Sequence, residues 1–193
     1  MSDSFINYLI TDPKFYSKDE KQFKKNLQKV LKNNQVDMAC FRDKESKNYK
    51  KLAKIFVKTC KKFKIKRILI NGDYKLSHKL HAHGVHLNST QFNDIKKAKE
   101  LDLYTVISCH NFNDLDLALD LHANAVTYSP IFKTPHKGKP KGLDMLKEVV
   151  ELYEDIDVIA LGGIISKEQI KGVKKTKAKG FASIRYFIQP LVK

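Results

Sequence analysis

Cysteine is scarce in this sequence, proline and glycine are thinly spread, and no apolar run approaches the length of a membrane span. The three cysteines, Cys40, Cys60 and Cys109, are an odd number with no C-x-x-C pair. That argues against a disulfide framework and a structural zinc site, and leaves three reduced thiols. No stretch rich in proline, glycine or serine divides the 193 residues, so a single domain over residues 1–193 is expected. The longest apolar runs, such as DVIALGGII from Asp157 to Ile165, fall short of the roughly 20 residues a bilayer crossing needs, and no membrane partner is expected. The opening MSDSFINYLITD has no basic start followed by a sustained apolar segment, so it does not read as a secretory signal and a cytoplasmic location is the expectation.

Arginine is as rare as cysteine. Arg42, Arg67 and Arg185 are the only three, so the formal net charge of +16 rests almost wholly on lysine. A cationic surface attracts nucleic acid and phosphorylated metabolites alike. The dense runs KQFKKNLQKVLKNN and KGVKKTKAKGF, however, set lysine around apolar residues at helical spacing, as on solvated helix faces. No helix joins basic residues to a nucleic-acid reading motif, so no specific nucleic-acid partner is expected.

What is present is an end-to-end alternation of short apolar runs with longer amphipathic ones. Eight strands are expected: Tyr8 to Thr11, Val36 to Arg42, Arg67 to Asn71, Gly84 to Leu87, Tyr104 to Ser108, Ala125 to Ser129, Asp157 to Leu161 and Gly180 to Ile184. Between them Phe23, Leu27, Val30 and Leu31 share one helical face, as do Leu52, Ile55, Phe56 and Thr59, and Leu143, Leu146, Val149 and Val150. Further helices fit Ile95 to Leu101, Asn113 to Leu121 and Lys167 to Lys175, with only a short turn around Leu76 to Leu80. RILIN, AVTYS and DVIAL are continuous apolar runs, the mark of strands buried on both faces in a parallel sheet. Eight β/α units make either a closed barrel or a doubly wound open sheet. The open sheet usually carries a glycine-rich turn after its first strand, and LITDPKFYS has no glycine. The expected fold class is therefore α/β, a single (β/α)8 TIM barrel.

In such a barrel the active site lies at the C-terminal strand ends. The polar residues there are Thr11 and Asp12; Arg42, Asp43 and Lys44; Asn71 and Asp73; His86 and Asn88; Ser108 and His110; Ser129, Lys133, Thr134 and Lys137; Gly162 and Gly163; and Arg185. This mouth is cationic and poor in carboxylates, which fits a phosphorylated ligand. Arg42 with Lys44 can clamp an oxyanion, or Arg42 can form a rim salt bridge with Asp43 or Glu45. The amides around Gly162 and Gly163 suit a phosphate, unless the glycines only permit a tight turn. Arg67 starts its strand and belongs to the opposite, stabilising end. The Ser129 to Gly142 segment is either a lid over an anion or a solvated basic loop. His78, His81 and His83 read as surface histidines.

The segments CFRDK, GVHL, SCH, SPIFKTPHK, ALGGI and KGFASI, in this order from about Tyr8 to Phe187, resemble the thiamine phosphate synthase/TenI family. The resemblance implies a (β/α)8 barrel acting in thiamine biosynthesis. One kind of member, the synthase, is a transferase that joins a pyrimidine pyrophosphate to a thiazole phosphate with magnesium. The other, the TenI-type tautomerase, is an isomerase that binds a carboxythiazole phosphate and moves a proton to make its ring aromatic. Arg42, Lys44, Asn71 and Lys137 have the family's residue types at its pyrophosphate-binding positions, and Thr134 lies in the same matching loop.

Four positions depart from the family. Cys40 replaces a glutamine, Gly72 and Gln91 fall where the family has magnesium-binding aspartates, and Arg185 replaces a serine near the thiazole phosphate. Magnesium needs hard carboxylate oxygen, and only Asp73 or Asp94, by a shift of chain, could replace the missing ligands. Ser108 and His110 match the family's serine-x-histidine. The resemblance gives His110 the acid/base role, which a free imidazole can fill near neutral pH, and Ser108 a phosphate or carboxylate oxygen. Cys109 should point to the other face as core. The reading that follows is a TenI-like thiazole tautomerase with no cofactor. A synthase with shifted magnesium ligands, or a non-catalytic ligand-binding or regulatory protein, stays open. The partner is a small phosphorylated thiazole or pyrimidine, and a homodimer is left open.

Overall fold

The structure, a computed structural model, describes residues 5–43, 45–135 and 137–189. Eight parallel strands close on themselves in sequence order: β1 (Ile6–Ile10), β2 (Met38–Phe41), β3 (Arg67–Asn71), β4 (Gly84–Leu87), β5 (Tyr104–Cys109), β6 (Ala125–Tyr128), β7 (Asp157–Leu161) and β8 (Gly180–Ser183). Closure is made by β8 on β1, with Tyr8 opposite Ala182 and Leu9 opposite Ser183. The (β/α)8 barrel expected from the alternation is thus the fold.

Helices α1 (Pro13–Tyr16), α2 (Glu20–Asn33), α3 (Tyr49–Lys62), α4 (Tyr74–Lys79), α5 (Asp94–Lys99), α6 (Phe112–Asp120), α7 (Gly142–Leu152) and α8 (Lys167–Lys175) connect the strands. Local chemistry starts several of them. Asp19 accepts from the Gln22 amide at the head of α2, Asn111 from the Asp114 amide at α6, and Ser166 with Gln169 forms a reciprocal capping box at α8. The α2 residues Phe23, Leu27, Val30 and Leu31 are buried together, as their spacing predicts.

Two expectations need correction, and one element goes beyond them. In the segment after β1, where no helix was expected, Asp12 caps the short helix α1, whose first residue is Pro13, where a missing N–H costs nothing. The turn expected at Leu76 to Leu80 is the helix α4, capped by Asp73. Strands β1 and β2 occupy Ile6–Ile10 and Met38–Phe41 rather than Tyr8 to Thr11 and Val36 to Arg42, because pairing with β8 and β3 sets their bounds and apolar composition does not.

Strand alternation sends side chains to two separate cores. The outer one, between sheet and helices, includes Phe41, Ile70, Ile107 and Cys109 together with Phe23, Phe56 and Leu146. The inner one fills the barrel with Ile6, Tyr8, Ile10, Met38, Cys40, Leu69, Val106, Ala125, Ile159 and Ala182. At the lower end Arg67 lies over the Tyr104 ring, 4.3 Å from its centroid, in keeping with a stabilising role. Among the described residues, no helix is long and apolar enough to cross a membrane.

Candidate functional site

A cavity of about 640 Å³ opens at the C-terminal ends of the strands. Arg42, Asn71, Ser108, His110, Thr134, Lys137, Gly162, Gly163 and Arg185 all line it, so the structure gathers nine of the residues put forward from sequence. Lys44 falls outside the described residues. Among those described, the wall holds the cations Arg42, Lys137 and Arg185 and no carboxylate, which favours an anionic occupant.

Arg42 is held at both ends. Its amide donates to Thr11 Oγ1 at 2.9 Å, and its guanidinium donates to Asp12 Oδ2 at 3.0 Å. The acids proposed for a rim salt bridge do not take part: Asp43 accepts from the Glu45 and Ser46 amides, and Glu45 pairs with Lys18.

Gly162 and Gly163 have φ of +98° and +71°, and a Cβ on either would come within 2.9 Å of the Pro130 to Lys133 backbone. The glycines let the β7 turn dock against the loop after β6, where Phe132 N–H donates to Gly162 O. Thr134 and Lys137 are carried into the wall by that same loop. Among the described residues, the amides of Gly163, Ile164, Ile184 and Arg185 donate no hydrogen bond, so the β7 and β8 ends leave a set of backbone donors open. Ser183 Oγ ties the two ends together by donating to Ile164 O at 2.7 Å.

Strand β5 aims Ser108 and His110 inward and Cys109 outward. Cys109 is buried in the outer core and burial pushes its thiol pKa up, so it is no nucleophile. His110 Nδ1 faces the Ser129 carbonyl oxygen at 3.1 Å and the Ser129 hydroxyl at 3.3 Å. The carbonyl is the nearer partner and only accepts, which assigns the proton to Nδ1 and the basic lone pair to Nε2. Nε2 has no protein partner among the described residues.

The residue that the sequence reading placed at a strand end and then passed over is His86. It is 3% exposed and lines the cavity from β4. Its Nδ1 lies 2.8 Å from Tyr8 Oη, its Nε2 3.1 Å from Ser108 Oγ and 3.3 Å from Thr127 Oγ1. Burial pushes its pKa down to about 4, helped by the charge of Arg42, so it is neutral at physiological pH. The signal was available: a polar residue at an inward position of a strand otherwise apolar. Cys40, at the position of the family's glutamine, is fully buried below the cavity and burial pushes its pKa up to about 12.

The corner that the resemblance assigns to magnesium is occupied by Gly72 and Gln91. Gln91 Nε2 donates to Gly72 O and Asp94 Oδ2, and its Oε1 accepts from the Asn88 amide and side chain. Every hydrogen-bonding atom of that carboxamide is engaged. Asp73 Oδ1 caps α4 by accepting from Leu76 N, and Asp94 Oδ1 pairs with Lys97 at 3.0 Å. A neutral amide pointing N–H groups into this corner does not fit a divalent cation, which requires oxygen donors in a near-octahedral set. Among the described residues, no three His, Cys, Asp or Glu side chains converge on one point.

The family profile described as thiamine monophosphate synthase matches residues 7–187. A thiamine-phosphate synthase from Proteus mirabilis is 33% identical over 148 residues, 74% of this chain and 68% of that one. The same-named protein of Citrobacter koseri is 30% identical over 61% of this chain and 58% of its own length. The thiamine phosphate pyrophosphorylase of Pyrococcus furiosus superposes with a TM-score of 0.78 at 22% identity, covering 95% of this chain and 92% of that one, and so shares the fold.

Proposed function

Because this chain belongs to the thiamine monophosphate synthase family, we propose that its cavity binds a phosphorylated thiazole and that His110 shifts a proton on that ring, as in the TenI-type tautomerases the sequence resembles. The observation that carries this reading is the hydrogen bond from His110 Nδ1 to the Ser129 carbonyl. It assigns the lone pair to Nε2, the atom a general base needs, and it stabilises the imidazolium formed when that atom takes a proton. Nε2 accepts the proton from the ring position that loses it and returns it at the position that gains it. The ring becomes aromatic, no electrons leave the substrate, and the enzyme ends in its starting state.

The open amides of the β7 and β8 ends suit the ligand's phosphate, with Arg185 at the rim. Arg42 and Lys137 add positive potential across the mouth. A proton shift places no demand on the Gly72 and Gln91 corner. The names of the Proteus and Citrobacter relatives favour a second reading, coupling of a pyrimidine pyrophosphate to the thiazole phosphate.

An assay separates the two. The purified protein is given the carboxythiazole phosphate tautomer alone, and separately thiazole phosphate with pyrimidine pyrophosphate and magnesium. Aromatisation that survives a chelator and disappears in His110→Ala supports the tautomerase. Magnesium-dependent thiamine phosphate formation overturns it in favour of the synthase, and activity in neither arm leaves a binding protein.

A further inference from the structure

Tyr8, His86 and Ser108 form a buried hydrogen-bond chain that ends at the cavity wall. Tyr8 is fully buried, and burial raises its pKa, so its phenol is protonated and must donate. The nearby Cys40 thiol is directed at the Phe41 carbonyl, and sulfur is a weak acceptor, so His86 Nδ1 at 2.8 Å is the acceptor of the Tyr8 proton. An imidazole that accepts at Nδ1 and is neutral carries its proton at Nε2. That N–H faces Ser108 Oγ at 3.1 Å, nearer than Thr127 Oγ1 at 3.3 Å, and the Thr127 hydroxyl also donates toward Ser108 at 3.5 Å. Ser108 therefore receives from both neighbours, and among the described residues it donates to none. Its single O–H is left for the cavity.

We propose that Tyr8 and His86 are positioning residues that fix Ser108 as a hydrogen-bond donor to the ligand's carboxylate. This rests on the reading of a carboxythiazole phosphate as ligand. The carboxylate is favoured over the phosphate because β5 stands three strands from β8 around the ring, whereas the open amides suited to phosphate lie at β7 and β8. Ser108 then sits two residues from His110 on the same inward face, holding the anionic end of the ring while His110 moves the proton. The direction of the hydroxyl is set from inside the barrel, by groups that never touch the ligand.

The test compares binding of carboxythiazole phosphate and of thiazole phosphate lacking the carboxylate, in wild type, Ser108→Ala, Tyr8→Phe and the double variant. The expected wild-type preference for the carboxylate, about tenfold or more for a hydrogen bond to a charged group, collapses in both single variants. The double variant is no worse than Ser108→Ala. His86→Gln, whose side-chain N–H stands in for Nε2–H, retains part of the preference, whereas His86→Leu loses it. In the free protein, ¹⁵N shifts of His86 report the Nε2–H tautomer in wild type.

Equal loss of both ligands, or additive losses in the double variant, would show a purely structural role and overturn the proposal. So would the opposite tautomer, whatever the protein binds. Failure of wild type to bind either compound sinks the ligand reading itself, and the donor role of Ser108 falls with it.

Discussion

The Arg42 guanidinium, in the cavity wall, meets the Asp12 carboxylate at 3.0 Å, so one cation of the mouth is partly neutralised before any ligand arrives. Both side chains retain some solvent contact, which limits the pair to about 0.2–1 kcal/mol. Asp12→Asn keeps an N-cap for α1, since asparagine caps as well as aspartate, and releases the charge of Arg42. Calorimetric titration with thiazole phosphate is expected to show binding tightened up to about fivefold. The gain should shrink as salt is raised.

Gly162→Ala places a side chain where φ is +98° and where its Cβ would stand 2.8 Å from Pro130 Cα. The strained backbone and the clash together cost about 2–4 kcal/mol of stability, read from urea denaturation. Because the displaced loop carries Thr134 and Lys137, ligand affinity falls as well.

In the outer core the Phe41 ring centroid lies 5.7 Å from Phe23, 5.3 Å from Tyr49 and 5.6 Å from Phe56. Phe41 has no solvent exposure. Phe41→Ala is expected to destabilise the fold by about 3–5 kcal/mol through lost burial and the cavity left behind. A drop of under about 1 kcal/mol would mean that the three remaining rings repack into the space.

Acid should unfold this protein partly through His86. Its pKa falls from 6.5 to about 4 on folding, so between those values the unfolded chain binds more protons and stability rises with pH. The contribution is complete above about pH 6.5 and is lost as pH falls toward 4, on the order of 3 kcal/mol. His83 is shifted in the same direction, so the measurement is the difference between wild type and His86→Gln in denaturation series from pH 7.5 to pH 4.5. The slope over that window should be shallower in the variant.

The barrel was readable because two periodicities alternate without interruption, and strand ends in a barrel mark the mouth. Arg42, Ser108 and His110 each follow or end an apolar run, and with Lys137 they reach the same cavity. The misses have physical causes. Helix α1 is four residues long, too short for a 3.6-residue pattern, and its signal was the Asp12-Pro13 pair alone. His86 was passed over because the sequence shows a histidine in GVHL and cannot show Tyr8, 78 residues earlier, donating to it. The partner of Arg42 is equally non-local: Asp12 lies 30 residues away, whereas the acids proposed were its chain neighbours.

The inner and outer cores share no residue. Side chains beneath the cavity, such as Tyr8 and Cys40, belong to the inward-facing set, while helix docking depends on the outward set. Drift at inward positions can thus retune ligand preference without disturbing the helical jacket, and drift in the jacket can proceed without altering chemistry. A lineage built this way can exchange one reaction for another while its scaffold stays under separate selection.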